Sequence, residues 1–171
     1  MDGTLAVIFF VASLTDMGFN DCPTGCLAQA AAPGRVSFNL SDLQFQNESI
    51  GGEVMLAYDL PRSFGPFQPT VGLSSTDSGD IWLGAGARWT SQELFAGPLF
   101  VEASFMPGFY FNDAGPDLGG NLHFRSSLGV GYAFANGTTV SVAYDHRSNG
   151  DTLSYNPGLE TLALRVAVPL R

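Results

Sequence analysis

From residue 35 to the end of the chain, apolar side chains recur at every second position, and this period constrains the fold more than any other feature. Side chains two residues apart on an extended chain share a face, whereas a helix returns to the same face every three or four residues. "RVSFNLSDLQFQ" (35–46) sets Val36, Phe38 and Leu40 on one side, and "EVMLAYDL" (53–60) does the same with Val54, Leu56, Tyr58 and Leu60. The pattern repeats in 66–74, 80–90, 98–111, 122–134 and 139–150, and it closes the chain in 159–170 with Leu162, Leu164, Val166 and Val168. These are eight strands, separated by turn-rich stretches such as "SSTDSG" and "NDAGPDLGG". "ANG" (135–137) is the strongest hairpin signal, since Asn-Gly supplies the positive φ values of a type I′ turn. An even number of antiparallel strands that meet head to tail predicts an up-and-down barrel, which leaves no open sheet edge.

Alternation does not say which face is inside; composition does. Only 13% of the residues are charged, about half the usual share. A soluble lipid carrier would turn its apolar face inward and need a charge-rich exterior. Here the second face holds mainly Gly, Ala and Ser, with Glu53, Asp59, Arg88, Glu102, Arg125, Asp145 and Arg165 among them. Such a face fills a narrow lumen better than it meets water, so the expected fold is an eight-stranded antiparallel transmembrane β-barrel with its apolar faces toward lipid. An arginine on the lipid side would cost about 2–4 kcal/mol at the midplane. Arg88, Arg125 and Arg165 are therefore expected inside, paired with Glu53, Glu102 or Asp145. Trp89, Phe109 and Tyr144, near strand ends, suit aromatic girdles.

The barrel is expected over 35–171, preceded by a signal peptide or N-terminal extension over 1–34. "LAVIFFVASL" (5–14) has the length of a signal h-region, although Asp2 stands where Lys or Arg is usual, and the small-residue site "LAQA" (27–30) lies well beyond it. No run reaches the roughly 18 apolar residues of a membrane-spanning helix. Cys22 and Cys26 in "DCPTGC" read as a local disulfide or as a pair that leaves with the signal peptide. They are too few for zinc and wrongly spaced for a redox CxxC, and Pro23 argues against lipid attachment. A net charge of −9 with no basic patch argues against nucleic acid.

One strand ends its apolar face with unexpected residues. In "TVSVAYDHRSNG" (139–150) the parity of Val140, Val142 and Tyr144 continues to His146 and Ser148. Glu160 shares the parity of Leu162 and Leu164 in the following strand. A hairpin across 149–157 would bring a hydroxyl, an imidazole and a carboxylate onto one patch of the outer wall, which are the parts needed for acyl transfer. A His-x-Ser pair at a strand end is often only a polar exit from the membrane, and the outward Glu160 is what lifts this one above that reading. Ser126 lacks a matching base and His123 a clear partner, while Asp145 and Arg147 have lumenal parity.

"HRSNG" followed by "NPGLE" resembles the PagL-type lipid A 3-O-deacylases of Gram-negative outer membranes, and "FRSSLGVGYAF" resembles the family's antepenultimate strand. The specific likeness covers about residues 120 to 170. It implies Ser148 as nucleophile, His146 as base and Glu160 as orienting carboxylate, with Asn156 at the oxyanion and Asn149 beside the nucleophile. It also implies an outer-membrane enzyme with lipid A or lipopolysaccharide as substrate and no metal; no cofactor is expected, and a homodimer is left open. The competing expectations are a non-catalytic structural or adhesin barrel and the soluble carrier with reversed faces.

Overall fold

The computed structural model describes residues 3–92 and 94–170. Helix α1 (Thr4–Asp16) runs into a π-helical stretch, Met17–Asp21, followed by strand β1 (Gln29–Ala31). Then come β2 (Arg35–Phe45), β3 (Glu48–Asp59), β4 (Arg62–Phe64), β5 (Gln68–Thr76) and β6 (Ile81–Thr90). The chain ends with β7 (Leu99–Phe111), β8 (Leu122–Ala133), β9 (Thr139–Ser148) and β10 (Leu159–Pro169). β1 and β4 form a two-stranded ribbon, and the other eight strands close an antiparallel barrel in sequence order, with β10 paired back onto β2. Closure satisfies the edges of those eight strands internally, as a backbone in hydrocarbon requires.

Two hairpins differ from expectation. β3 begins at Glu48 rather than near residue 53, because Gln46 and Asn47, with φ of 52° and 68°, turn the chain in two residues. A bulge opposite Leu43 and Gln44 then restores the facing of the strand. The 135–137 turn is not of type I′, since only Gly137 has positive φ. Gly137 N–H donates to the Phe134 carbonyl at 2.9 Å, and the Asn136 side chain accepts from Thr138 N–H at 3.0 Å. Asn136 thus acts through its side chain, with a left-handed backbone needed only at the glycine.

The faces follow the sequence period. Leu56, Leu83 and Leu164 are open on the outside, while Ser37, Asn39, Thr70 and Ser74 are buried within. Inside, Arg88 meets Glu102 at 3.0 Å and Asp59 at 3.5 Å, and Arg165 meets Glu102 at 3.0 Å. Arg125 bridges Glu53 at 2.8 Å and Asp145 at 2.7 Å, and Arg147 reaches Glu53 at 2.6 Å. Arg35 is held by neutral partners, the Thr139 hydroxyl and the Gln92 carbonyl oxygen. The lumen is not polar throughout, however. Toward the β9–β10 hairpin it is plugged by Leu43, Met55, Trp82, Met106, Tyr110, Leu118 and Leu159. Trp82 fits because Gly108 faces it: a Cβ there would lie 2.8 Å from the indole.

α1 lies on the outer wall against β7 and β8. Phe9 packs with Trp89 and Ala103, and Trp89 Nε1 donates to Asp16 at 2.7 Å. Trp89 is therefore covered, unlike a girdle residue open to lipid, while Phe109 is open. Cys22 and Cys26 form a disulfide.

Glu102→Ala would leave Arg88 with only Asp59, at 3.5 Å, and Arg165 with only Asp145, at 3.8 Å, as acid partners, and these under-compensated buried cations should cost up to about 3–5 kcal/mol. Glu48→Ala, at an exposed strand start, should stay within about 0.5 kcal/mol of the parent. Heat-modifiable gel migration across a urea series, in detergent, measures both. Equal midpoints for the two variants would refute a lumenal network that carries stability.

Candidate active site

The register between β9 and β10 sets Glu160 directly opposite His146. Both share the outward parity of Val142 and Leu162, and the imidazole Nδ1 lies 3.1 Å from Glu160 Oε1. Ser148, two residues along β9, has the same facing. Its neighbour across β8 is Phe124, whose ring stacks on Phe105 at 5.8 Å. The expected trio is thus brought onto one patch of the outer wall.

These residues are more enclosed than others on that wall. His146 is 6% and Ser148 9% exposed, against 50% for Val142 on the same face of β9. The cover is the chain entering β10. Gly158, with φ of 74°, presses its backbone on the ring so closely that a Cβ would sit 2.9 Å from Cε1. The imidazole is fixed along two edges, Nδ1 by Glu160 and Cε1 by Gly158. Its remaining nitrogen, Nε2, is buried and has no hydrogen-bond partner among the described residues, the Ser148 hydroxyl included. Ser148 lies two positions further along the same face of β9, toward the hairpin tip. A base–hydroxyl contact that is open without substrate can close in the complex. A carboxylate-oriented imidazole with a free nitrogen beside a hydroxyl can remove the hydroxyl proton and so drive acyl transfer.

The two asparagines are used differently. Asn149 is fully buried, and its amide donates to the carbonyls of Gly119 at 2.9 Å and Tyr155 at 2.7 Å. Its side chain clamps residues 112–121 to residues 149–158 just beyond Ser148. Asn156 accepts from the Asn149 backbone N–H at 3.0 Å and donates to Asp151 at 2.9 Å. An amide carries two N–H bonds, so one donor of Asn156 remains for another acceptor.

Below this clamp, Asp80 organises the neighbouring loop. Its carboxylate accepts from the N–H groups of Asp113 at 2.8 Å and Gly115 at 3.1 Å, and from the Ser78 hydroxyl at 2.9 Å. Burial works to raise its pKa, but those donors outweigh burial and hold it below the ordinary carboxylate value. Leu118 of this loop drops into the apolar plug.

Two residues of the patch were not legible in sequence. Ser126 has a base beside it after all: it pairs directly with His146 across β8 and β9, although its hydroxyl approaches the His146 carbonyl, at 3.5 Å, rather than the ring. Strand parity put Ser126 outward, but only the register could give it a neighbour. Gly158 is the other, and positive φ in an Asn-Pro-Gly turn was its only available signal. His123 is lumenal, with Nε2 2.9 Å from the Gly120 carbonyl, and stands apart from the trio. Asp145 and Arg147 are lumenal too, within the ion pairs.

A family model described as lipid A 3-O-deacylase (PagL) matches residues 50–169. The chain is 37% identical over 54 residues to lipid A deacylase PagL of Pseudomonas aeruginosa, a stretch covering 32% of this chain and 31% of that protein. The match therefore spans about a third of that curated relative's length. Among solved structures, the outer membrane enzyme PagL superposes with a TM-score of 0.66 at 24% identity, over 80% of this chain and 99% of that one. Neisserial surface protein A gives 0.51 at 11% identity, over 84% and 99%. At these identities the structural likenesses carry the fold alone.

Gly158→Ala should leave the barrel folded but displace the imidazole, lowering esterase turnover by at least about tenfold, since a misplacement near 1 Å can cost 10²-fold. Steady-state hydrolysis by the heat-modifiable protein checks this, and wild-type turnover would mean the ring is not seated by that backbone. For Asp80, a folded pKa below the unfolded value of about 3.9 means that its contribution is complete above that value. It is lost as pH falls through the folded value. Amide exchange at Asp113 and Gly115, corrected for intrinsic rates, should hold from pH 8 to 5 and rise only below about pH 4. Release near pH 6 would contradict the assignment.

Proposed function

Because the chain belongs to the lipid A 3-O-deacylase (PagL) family, we propose that it is an outer-membrane esterase that removes the acyl chain at position 3 of lipid A. Ser148 Oγ attacks the ester carbonyl while His146 Nε2 takes its proton. Glu160 holds the Nδ1 proton and stabilises the imidazolium. The oxyanion of the tetrahedral intermediate accepts a hydrogen bond from the free N–H of Asn156. Collapse returns the proton from His146 to the departing sugar hydroxyl and leaves Ser148 acylated. Water, deprotonated by the same imidazole, then releases a 3-hydroxy fatty acid and regenerates the serine.

The observation that carries this reading is the His146–Glu160 pair at 3.1 Å on an apolar wall, with Nε2 unpartnered and Ser148 two residues along the same face. The substrate is itself a membrane lipid, so a site on the lipid-facing wall can meet the ester without drawing it out of the bilayer. Both ends of the barrel sequence lie at the opposite rim, and with that rim periplasmic the site faces the leaflet that holds lipopolysaccharide. Residues 1–34 are read as the export segment or extension, and 35–171 as the barrel. The segments 77–80, 112–121 and 149–158 around the site carry Asp77, Asp80, Asp113, Asp117 and Asp151 and neither Lys nor Arg. Recognition accordingly rests on the ester and acyl chains rather than on cations that pair with phosphate.

Release of 3-hydroxy fatty acid from purified lipid A in detergent is the test. Ser148→Ala and His146→Ala should each lose at least about 10³-fold in kcat while remaining heat-modifiable, because nucleophile and base act as a unit. Glu160→Ala should lose one to two orders of magnitude less, by about the margin seen when an orienting carboxylate alone is removed. Asn156→Ala should fall by about 10²–10³ in kcat with little change in KM. Near-normal release by Ser148→Ala would remove Ser148 as nucleophile. A folded wild type that released nothing would favour a non-catalytic barrel.

A further inference from the structure

The residue between the base and the nucleophile faces the other way. Arg147 is 2% exposed inside the lumen, where Nη2 meets Glu53 of β3 at 2.6 Å and the guanidinium lies 5.4 Å from the Tyr110 ring. For Glu53 it is a second cation, although Arg125 also serves Asp145. Arg125 already holds Glu53 through two nitrogens, at 3.1 and 2.8 Å, and the Ser74 hydroxyl adds a third bond at 2.6 Å. Arg147 also sits directly across the β8–β9 ladder from Arg125, a like-charge pairing that destabilises a sheet. Its Nε is buried without a partner. A buried charge of this kind is weak support for stability, and its best-attested use is to specify geometry.

Its place in the ladder indicates which geometry. Arg147 is the last β9 residue paired on both sides, to Arg125 in β8 and Leu159 in β10, whereas Ser148 keeps a partner only in β8. The peptide units on either side of Arg147 set the outward directions of His146 and Ser148. We propose that Arg147 is a positioning residue: its lumenal bond to Glu53, on the far side of the barrel wall from the substrate, holds the main chain between base and nucleophile in register. The inference rests on Ser148 and His146 acting as proposed above. Stability and reactivity then pull in opposite directions at one side chain, as strained functional sites commonly do.

The test compares Arg147→Met and Arg147→Lys with the wild type and with Ser148→Ala, as refolded full-length protein in detergent. It reads kcat and KM on lipid A, the rate at which a fluorophosphonate probe labels the serine, and the urea midpoint of heat-modifiable migration. Arg147→Met should keep or raise that midpoint and leave KM within twofold, while kcat and the labelling rate each fall at least tenfold. Arg147→Lys keeps the charge and can still reach Glu53, but as a flexible point charge, so it should recover part of both rates at unchanged KM. A folded Arg147→Met with kcat and labelling within twofold of wild type overturns the proposal. If Arg147→Met does not fold, Arg147→Lys decides: a lowered kcat at constant KM supports positioning, and wild-type rates refute it. Ser148→Ala separates the two readings, because retained release or labelling in that variant defeats the assigned nucleophile whatever Arg147 does.

Discussion

Everything in this barrel depends on arginines that cannot face lipid. Arg35, Arg88, Arg125, Arg147 and Arg165 are drawn into the lumen, where Glu53, Asp59, Glu102 and Asp145 share all but Arg35, which Thr139 and Gln92 hold. Arg88–Asp59, Arg125–Glu53, Arg147–Glu53 and Arg165–Glu102 tie together strands that are not neighbours in the sheet, while Arg88–Glu102 and Arg125–Asp145 join adjacent ones. A one-residue slip of any strand would turn its charges outward into hydrocarbon and its Leu and Val side chains inward. The ion pairs therefore enforce the register, and the register decides which side chains meet the bilayer.

The site is a consequence of that parity. His146, Ser148 and Glu160 look outward because Asp145 and Arg147 look inward. On an open strand they would be as exposed as Val142. Gly158 folds back over the imidazole, Asn149 fastens residues 149–158 to the neighbouring loop, and Asp80 braces that loop from the other side. The enclosure gives a dry setting in which the His146–Glu160 attraction is worth more than it would be in water. On the proposed function, acyl-transfer chemistry would be held on a wall that a lipid ester reaches by lateral motion.

Much of this was readable beforehand, for reasons particular residues show. A membrane wall must be apolar on one face without exception, so Val36, Phe38 and Leu40 announce their facing with nothing else known. The three arginines expected inside are inside, with the named acids as partners. The turns were less legible. Residues 46–48 close in a tight turn without glycine, and "ANG" turns through the Asn136 side chain rather than a type I′ backbone. The apolar plug around Trp82 was hidden because Gly84 and Gly108 look like filler until a large ring must fit against them.

By itself the sequence determined the eight strands, their facing, and the pairing of His146 and Ser148 with Glu160 on one face. Each of these follows from a period of two along the chain, a property of local covalent geometry. Tertiary structure alone decided that Glu160 stands level with His146, that Ser126 is its neighbour on the other side, that Gly158 seats the ring, and that Arg147 ends on Glu53. Those facts depend on the stagger between strands and on the path of loops. Pairing energies summed over the whole closed barrel settle both, and no single segment of the chain carries that sum.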